Sequence, residues 1–156
     1  QCLAALSSTR IVVVDRNPDA LALAEELGAD ETVVADGGQV EGILDLTGGL
    51  GAEVVIDFVA EQGAELDGPR MLRRAGSYFV IGYGGTVSIP TIDIISTEIN
   101  VVGNLVGTYS DLVQLMVLAE TGKVSLHTKA YPLASALDAF RDLDAGNVRG
   151  RAILVP

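Results

Sequence analysis

The amino-acid sequence predicts an α/β protein built on a doubly wound parallel sheet. Three observations point there. Ile11-Val12-Val13-Val14-Asp15 is a continuous β-branched run, the pattern of a strand buried on both faces. Short apolar runs then alternate with stretches of helical spacing as far as Gly107, the rhythm of strand–helix–strand units. Glycine and proline, including 18 glycines, punctuate the ends of these segments. Crossovers between such strands are right-handed, and the strands they join are parallel.

The elements follow in order. Residues 1–6 read as the rear of a helix, and 11–15 as a strand. Residues 18–27 read as a helix: Asn17 suits its cap, Pro18 its first position and Gly28 its stop. A short strand is expected at 32–35. A helix follows at 39–47, with Ile43, Leu44 and Leu46 apolar. Residues 53–59 form a strand that is apolar except for Asp57. A helix is expected at 62–73, interrupted by Gly68-Pro69. Further strands fall at 77–82 and 99–106. After Gly107 the alternation stops. Ser110 is read as the cap of a helix running to about Thr121, with Gly122 ending it. Residues 124–131 are extended. Leu133, Ala136, Leu137, Phe140 and Leu143 fall at helical spacing before Gly146, and 152–155 form a last strand. A boundary between two units is placed near residues 108–110.

With 156 residues, 49% hydrophobic and 20% charged, the chain is globular and about one domain in size. Its net charge of −11 argues against a nucleic-acid surface, which needs clustered Lys and Arg. It allows an anionic cofactor where backbone dipoles or an arginine receive the phosphates. No signal peptide and no membrane-length apolar run is evident. The chain starts at Gln1 without an initiator Met, which reads as a mature fragment or part of a longer chain. Cys2 is the only cysteine, so an intrachain disulfide and a cysteine-based zinc site are both excluded. A cytoplasmic setting is expected.

Asp15 is the strongest candidate site residue. In dinucleotide-binding folds, an acid ending the second strand accepts hydrogen bonds from the adenosine ribose hydroxyls, about 20 residues beyond a glycine-rich phosphate loop. Counting back from Asp15 passes Gln1, so that loop and the first strand are expected ahead of this sequence. The plainer reading of Asp15 is a solvated strand end. A carboxylate here disfavours a ribose 2′-phosphate, so NAD is expected over NADP. Arg16 beside it suits stacking on adenine, or alternatively a phosphate. Ligands bind beyond the carboxyl ends of parallel strands. On that rule Phe58 and Val59, Ile81, Gly82 and Tyr83, and Asn104, Leu105 and Val106 are expected to line the cofactor, although core packing explains Ile81 and Val106 as well. Asp57, inside an apolar strand, reads first as a structural hydrogen-bonding group, because a buried acid is costly unless partnered. His127, the only histidine, lacks nearby metal-ligand partners and reads as structural or exposed. No residue of this sequence is assigned a catalytic or metal-binding role.

The stretches Val12-Val13-Val14-Asp15, Leu27-Gly28-Ala29-Asp30, Gly51-Ala52-Glu53-Val54-Val55-Ile56-Asp57-Phe58-Val59, Gly103-Asn104-Leu105-Val106-Gly107-Thr108 and Val148-Arg149-Gly150-Arg151-Ala152-Ile153-Leu154-Val155, in this order and spacing, resemble the C-terminal part of the medium-chain, zinc-type alcohol dehydrogenases. The resemblance covers essentially the whole chain. It implies an incomplete Rossmann sheet over residues 1–108, lacking its first strand and glycine loop, and a segment over 109–156 returning to a GroES-like catalytic domain. It implies the cofactor-binding portion of an NAD-dependent enzyme that moves hydride between an alcohol or carbonyl substrate and NAD. Zinc is expected in the absent catalytic region, and the chain by itself is expected to be inactive. Arg151 reads equally as a surface arginine or a phosphate ligand from residues alone; the resemblance implies contact with the cofactor pyrophosphate. Arg149 reads as a solvated turn residue. The resemblance also implies a homodimer or homotetramer formed through the sheet edge at 99–106, an edge without Lys or Pro to blunt it. A zinc-free quinone reductase of the same superfamily and a non-enzymatic nucleotide-binding or assembly module are the alternatives. No membrane partner is expected.

Overall fold

The structure, a computed structural model, describes residues 1–156. Helix α1 (Cys2–Leu6) precedes strand β1 (Val12–Asp15), helix α2 (Pro18–Glu26), strand β2 (Glu31–Val34), helix α3 (Gln39–Leu46) and strand β3 (Ala52–Asp57). One turn of helix α4 (Ala64–Asp67) runs into a 3-10 turn (Gly68–Met71) and strand β4 (Leu72–Val80). Helix α5 (Thr91–Thr97), strand β5 (Asn100–Gly103) and helix α6 (Tyr109–Glu120) follow. Strand β6 (Thr128–Pro132), helix α7 (Ala136–Asp144) and strand β7 (Arg151–Val155) complete the chain.

Every strand pair is parallel. β1 pairs with β2, while β3, β4 and β5 form a three-stranded sheet with β4 in the centre. β1 and β3 are not hydrogen-bonded to one another, so the doubly wound sheet is in two pieces, each with an unpaired edge. Shared partners hold the pieces in line. Val40 and Ile43 of α3 and Met71 form the main buried cluster, and Val12, Val14 and Val33 from one piece pack on it beside Ala52 and Val55 from the other. At the strand starts, the Arg10 guanidinium donates to Glu31 and to the Leu46 carbonyl (2.7 Å). β6 and β7 form a third, separate two-stranded sheet flanked by α7.

Local chemistry accounts for most elements. The Asn17 side chain caps α2 by accepting from the Asp19 N–H (2.9 Å), with Pro18 in the first turn, and Gly28 follows with φ +104°. Four expectations are corrected. The helix expected over 62–73 lasts one turn, because Pro69 has no N–H to continue it, and Arg73 already lies in β4. Helix α5 was not anticipated; it starts directly after Pro90 and buries no residue, so no apolar periodicity announces it. The last sheet strand stops at Gly103, which puts Asn104, Leu105 and Val106 in the following turn. The cap of α6 is Thr108 rather than Ser110: Thr108 Oγ1 accepts from the Asp111 N–H while the Asp111 carboxylate accepts from the Thr108 N–H (2.7 Å), a reciprocal capping box.

Only 13 of the 156 residues are buried, and the accessible surface is 10580 Å². A compact monomer of this mass exposes about 7,500 Å². The excess lies in named places: Val54 and Ile56 on one face of β3, Val101 and Val102 on β5, and Leu112, Val113, Met116 and Val117 on α6.

Candidate functional site at the strand ends

Because the five strands of the two main pieces run parallel, their carboxyl ends gather along one edge. Asp15 ends β1. Its Oδ1 accepts from the Asn17 N–H (2.8 Å), which fixes the carboxylate at the entrance to α2, and its side chain is half-buried. The other carboxylate oxygen makes no hydrogen bond within the chain. Arg16 is exposed and extends along the edge, donating through Nη1 to Gln62 Oε1 (2.7 Å) beyond β3. That bond joins the end of the two-stranded piece to the end of the three-stranded piece.

The β3 end is a fixed turn. Asp57 is buried, and its Oδ1 accepts from the N–H groups of both Val59 and Ala60 (2.8 Å each). Its Oδ2 accepts from the Tyr78 hydroxyl (2.6 Å) on the neighbouring strand, and Tyr78 is fully buried. Burial, followed by the bond to Asp57 and the charges of Asp57 and Glu65, pushes the Tyr78 phenol well above its ordinary range. It therefore stays protonated and remains a donor. The structural reading of Asp57 is the one the geometry bears out. Phe58 and Val59 beyond it are exposed, at 73% and 53%.

The β4 end crosses this turn at close range. The N–H groups of Ile81 and Gly82 both donate to the Asp57 carbonyl (2.9 Å). A Cβ on Gly82 would stand 2.5 Å from the Val59 carbonyl oxygen and 2.7 Å from the Phe58 carbonyl carbon, so only glycine fits there. Gly85 N–H donates to the Ala60 carbonyl (2.8 Å), and buried Glu65 accepts from Gly63 N–H (3.0 Å) underneath. Ile81 is half-buried, whereas Tyr83 is almost wholly exposed. At the β5 end the Asn104 N–H donates to the Val80 carbonyl (3.0 Å), and its side-chain amide donates to the Val102 carbonyl (3.2 Å). Leu105 and Val106 project into solvent, with Val106 at φ +43°.

The strand-end residues are thus brought together, while Arg151 is not among them. It opens β7, its N–H donates to the His127 carbonyl (2.8 Å), and its exposed side chain lines a separate cleft of about 280 Å³ with Gln1, Leu23, Leu27, Ser125 and His127. Arg149 is exposed in the turn before β7, as expected, and also pairs with Glu26 of α2, and Gln1 exchanges hydrogen bonds with Ser125 (2.9 and 2.8 Å). These contacts dock the β6–β7 unit against the start of the chain. No group of three or more His, Cys, Asp or Glu side chains in the chain is placed to hold a metal ion. Sequence reasoning missed Tyr78, Glu65 and Gln62. A signal existed for Tyr78: Val55 pairs with it, Asp57 shares the face of Val55, and a buried carboxylate requires a donor on that face.

Helices crossing between parallel strands, with open polar groups collected at the carboxyl edge, define a doubly wound α/β protein of the kind that takes its ligand at that edge. A family model described as zinc-binding dehydrogenase matches residues 1–121, and the chain belongs to that family. An NAD-dependent alcohol dehydrogenase of Sulfurisphaera tokodaii is 34% identical over 159 residues, covering 100% of this chain and 46% of the relative. A D-arabinose 1-dehydrogenase (NADP(+)) of Saccharolobus solfataricus is 30% identical over 155 residues, covering 98% of this chain and 44% of the relative. The crystal structure of the alcohol dehydrogenase from Aeropyrum pernix superposes with a TM-score of 0.94 at 38% identity, over 99% of this chain and 45% of that one. The chain spans a little under half the length of these relatives.

Proposed function

We propose that this chain is the cofactor-binding portion of an NAD-dependent alcohol dehydrogenase, with residues 1–108 receiving the dinucleotide and 109–156 returning to a catalytic domain supplied by the rest of the polypeptide. The observation that carries the reading is Asp15. One of its carboxylate oxygens is fixed by Asn17 and the other is open, at the head of a sheet edge whose farther strands end in exposed Phe58, Val59, Tyr83, Leu105 and Val106. An open carboxylate accepts from a ribose diol and repels a 2′-phosphate, which favours NAD over NADP. Arg16, drawn along the edge by Gln62, fits stacking beside adenine better than phosphate capture. Ile81 and Gly82 shape the nicotinamide side, and Asn104 orients the turn that offers backbone groups to it. Arg151 is assigned to the pyrophosphate on the family resemblance; its exposed side chain lines the cleft beside Gln1. Bound nicotinamide supplies the hydride acceptor. The residues of this chain bind and orient it, while zinc and the alcohol or carbonyl substrate belong to the catalytic region.

The relatives' names support dehydrogenase chemistry, and they include both an NAD-dependent and an NADP(+)-linked enzyme. No helix is long and apolar enough to cross a membrane. The single cysteine supports a cytoplasmic setting. A homodimer or homotetramer through residues 99–106 is supported by β5, which pairs only with β4 and leaves Val101 and Val102 exposed. The test is titration of NAD and NADP into the full-length polypeptide and its Asp15→Ala variant. Loss of a charge-assisted hydrogen bond should weaken NAD by about 1.5–3 kcal/mol and narrow its advantage over NADP. Unchanged NAD affinity would overturn the reading.

A further inference from the structure

We infer that the buried Tyr78–Asp57 pair is a positioning device for the nicotinamide half of the cofactor, acting through the turn that carries Phe58 and Val59. The inference rests on the cofactor reading above and adds residues that touch no ligand themselves.

The turn after β3 is held from two sides. From within the sheet, the Tyr78 hydroxyl donates to Asp57 Oδ2 (2.6 Å), leaving Oδ1 to receive the Val59 and Ala60 N–H groups (2.8 Å each). From the neighbouring strand end, the glycine at 82 lies against the Phe58 and Val59 backbone without room for a Cβ, and the Gly85 N–H bonds the Ala60 carbonyl (2.8 Å). Ala60 sits at φ +49° and Gln62 at φ +56°, conformations that non-glycine residues adopt only when the surroundings impose them. The same turn presents its two large side chains outward, Phe58 at 73% and Val59 at 53% exposure. A rigid mount with an open apolar face at the ligand edge of a parallel sheet is suited to hold a flat ring. Its support is a buried carboxylate with no cation: Asp57 has three hydrogen-bond donors and no ion pair. Removing the Tyr78 hydroxyl leaves one carboxylate oxygen buried without its partner, and the carboxylate is then free to turn away from the two amides. The consequence falls on Phe58 and Val59, and Asp15 at the far end of the edge is untouched.

This separates a positioning role from a general loss of stability. In the full-length polypeptide, the affinities of wild type and Tyr78→Phe are measured by NADH fluorescence and by competition with ADP-ribose, which has the adenosine end without the nicotinamide. The expected result is a five- to twenty-fold weaker NADH affinity with ADP-ribose affinity within two-fold of wild type. Asp57→Asn keeps an oxygen for the two amides and should show a smaller selective loss of the same kind. If both variants lose the two ligands in equal proportion, retain wild-type affinities, or fail to fold, the pair serves stability alone and the inference is overturned. If wild type binds neither ligand, or Asp15→Ala leaves ADP-ribose binding intact, the cofactor reading itself fails, a distinct outcome.

Discussion

Asp15 and Asp57 are both carboxylates that end an apolar parallel strand, yet the structure gives them opposite surroundings. Asp57 is buried and fully engaged by Val59, Ala60 and Tyr78, whereas Asp15 is half-buried with one oxygen open. Engagement, not residue type, separates the structural acid from the candidate ligand. Gly82 is the other decisive single residue. Gly82→Ala should displace the Phe58–Val59 turn, and strain of this kind typically costs about 1–3 kcal/mol; thermal unfolding and NADH affinity should both fall, and a variant indistinguishable from wild type would show that the close approach is unimportant. The strand end at Asp15 was legible because it depends on a local pattern, a β-branched run followed by an acid and a capped helix. Tyr78 was not singled out, because its task appears only when β3 and β4 are placed in register.

At the scale of elements, local signals held where they were sufficient. Asn17-Pro18 starts α2 and Gly28 follows its end as expected. They failed where tertiary contact decides. The ring of Tyr78 lies over Gly68, where a Cβ would be 2.5 Å from its Cε2, and Pro69 next to it has no N–H to continue the helix, so the segment passes through a 3-10 turn into β4. Helix α6 has a capping box, and Thr108→Ala should cost about 1 kcal/mol of stability, measured by chemical denaturation of the full-length polypeptide. The β6–α7 unit is held by Asp142, which receives Lys129 Nζ (2.8 Å) and the Tyr131 hydroxyl (2.6 Å). Lys129 and then Tyr131 hold the Asp142 carboxyl below the ordinary aspartate range. The bond to Asp142, followed by that to Tyr131, pushes Lys129 up to about 12. A depressed carboxyl contributes stability above its unfolded pKa and loses it as pH falls through the lowered folded value. A raised amine contributes below its unfolded pKa and loses it as pH rises through about 12. Backbone amide exchange in β6 should therefore be slowest, after correction for the intrinsic pH effect, across the neutral range, and Asp142→Asn should remove the acid-side dependence. The same acid-side profile in that variant would refute this origin.

The whole molecule exposes far more surface than its mass requires, by more than the roughly 800 Å² one partner contributes to a standard interface. One dimer contact cannot cover it. The two unpaired edges of β1 and β3, the open face of β3 and the unburied α6 call for cover on several sides. Residues 1–156 alone should accordingly be marginally stable and bind NAD weakly or not at all; micromolar binding in calorimetry would contradict this. On the proposed assembly through residues 99–106, replacing Val101 and Val102 by Lys should lower the mass of the full-length polypeptide in light scattering, and an unchanged mass in a folded variant would count against an interface there. The parallel pairing of the strands was foreseeable from the alternation of apolar runs, since each strand needs a crossover helix to reach the next. The extent of bare surface was not, because burial depends on what lies against each face. The most direct test of the central claim is a crystal structure of the full-length polypeptide with NAD. The account predicts the adenosine ribose hydroxyls at the open oxygen of Asp15 and the nicotinamide beside Phe58, Val59 and Gly82. A cofactor seated away from the carboxyl ends of β1, β3, β4 and β5 would contradict it.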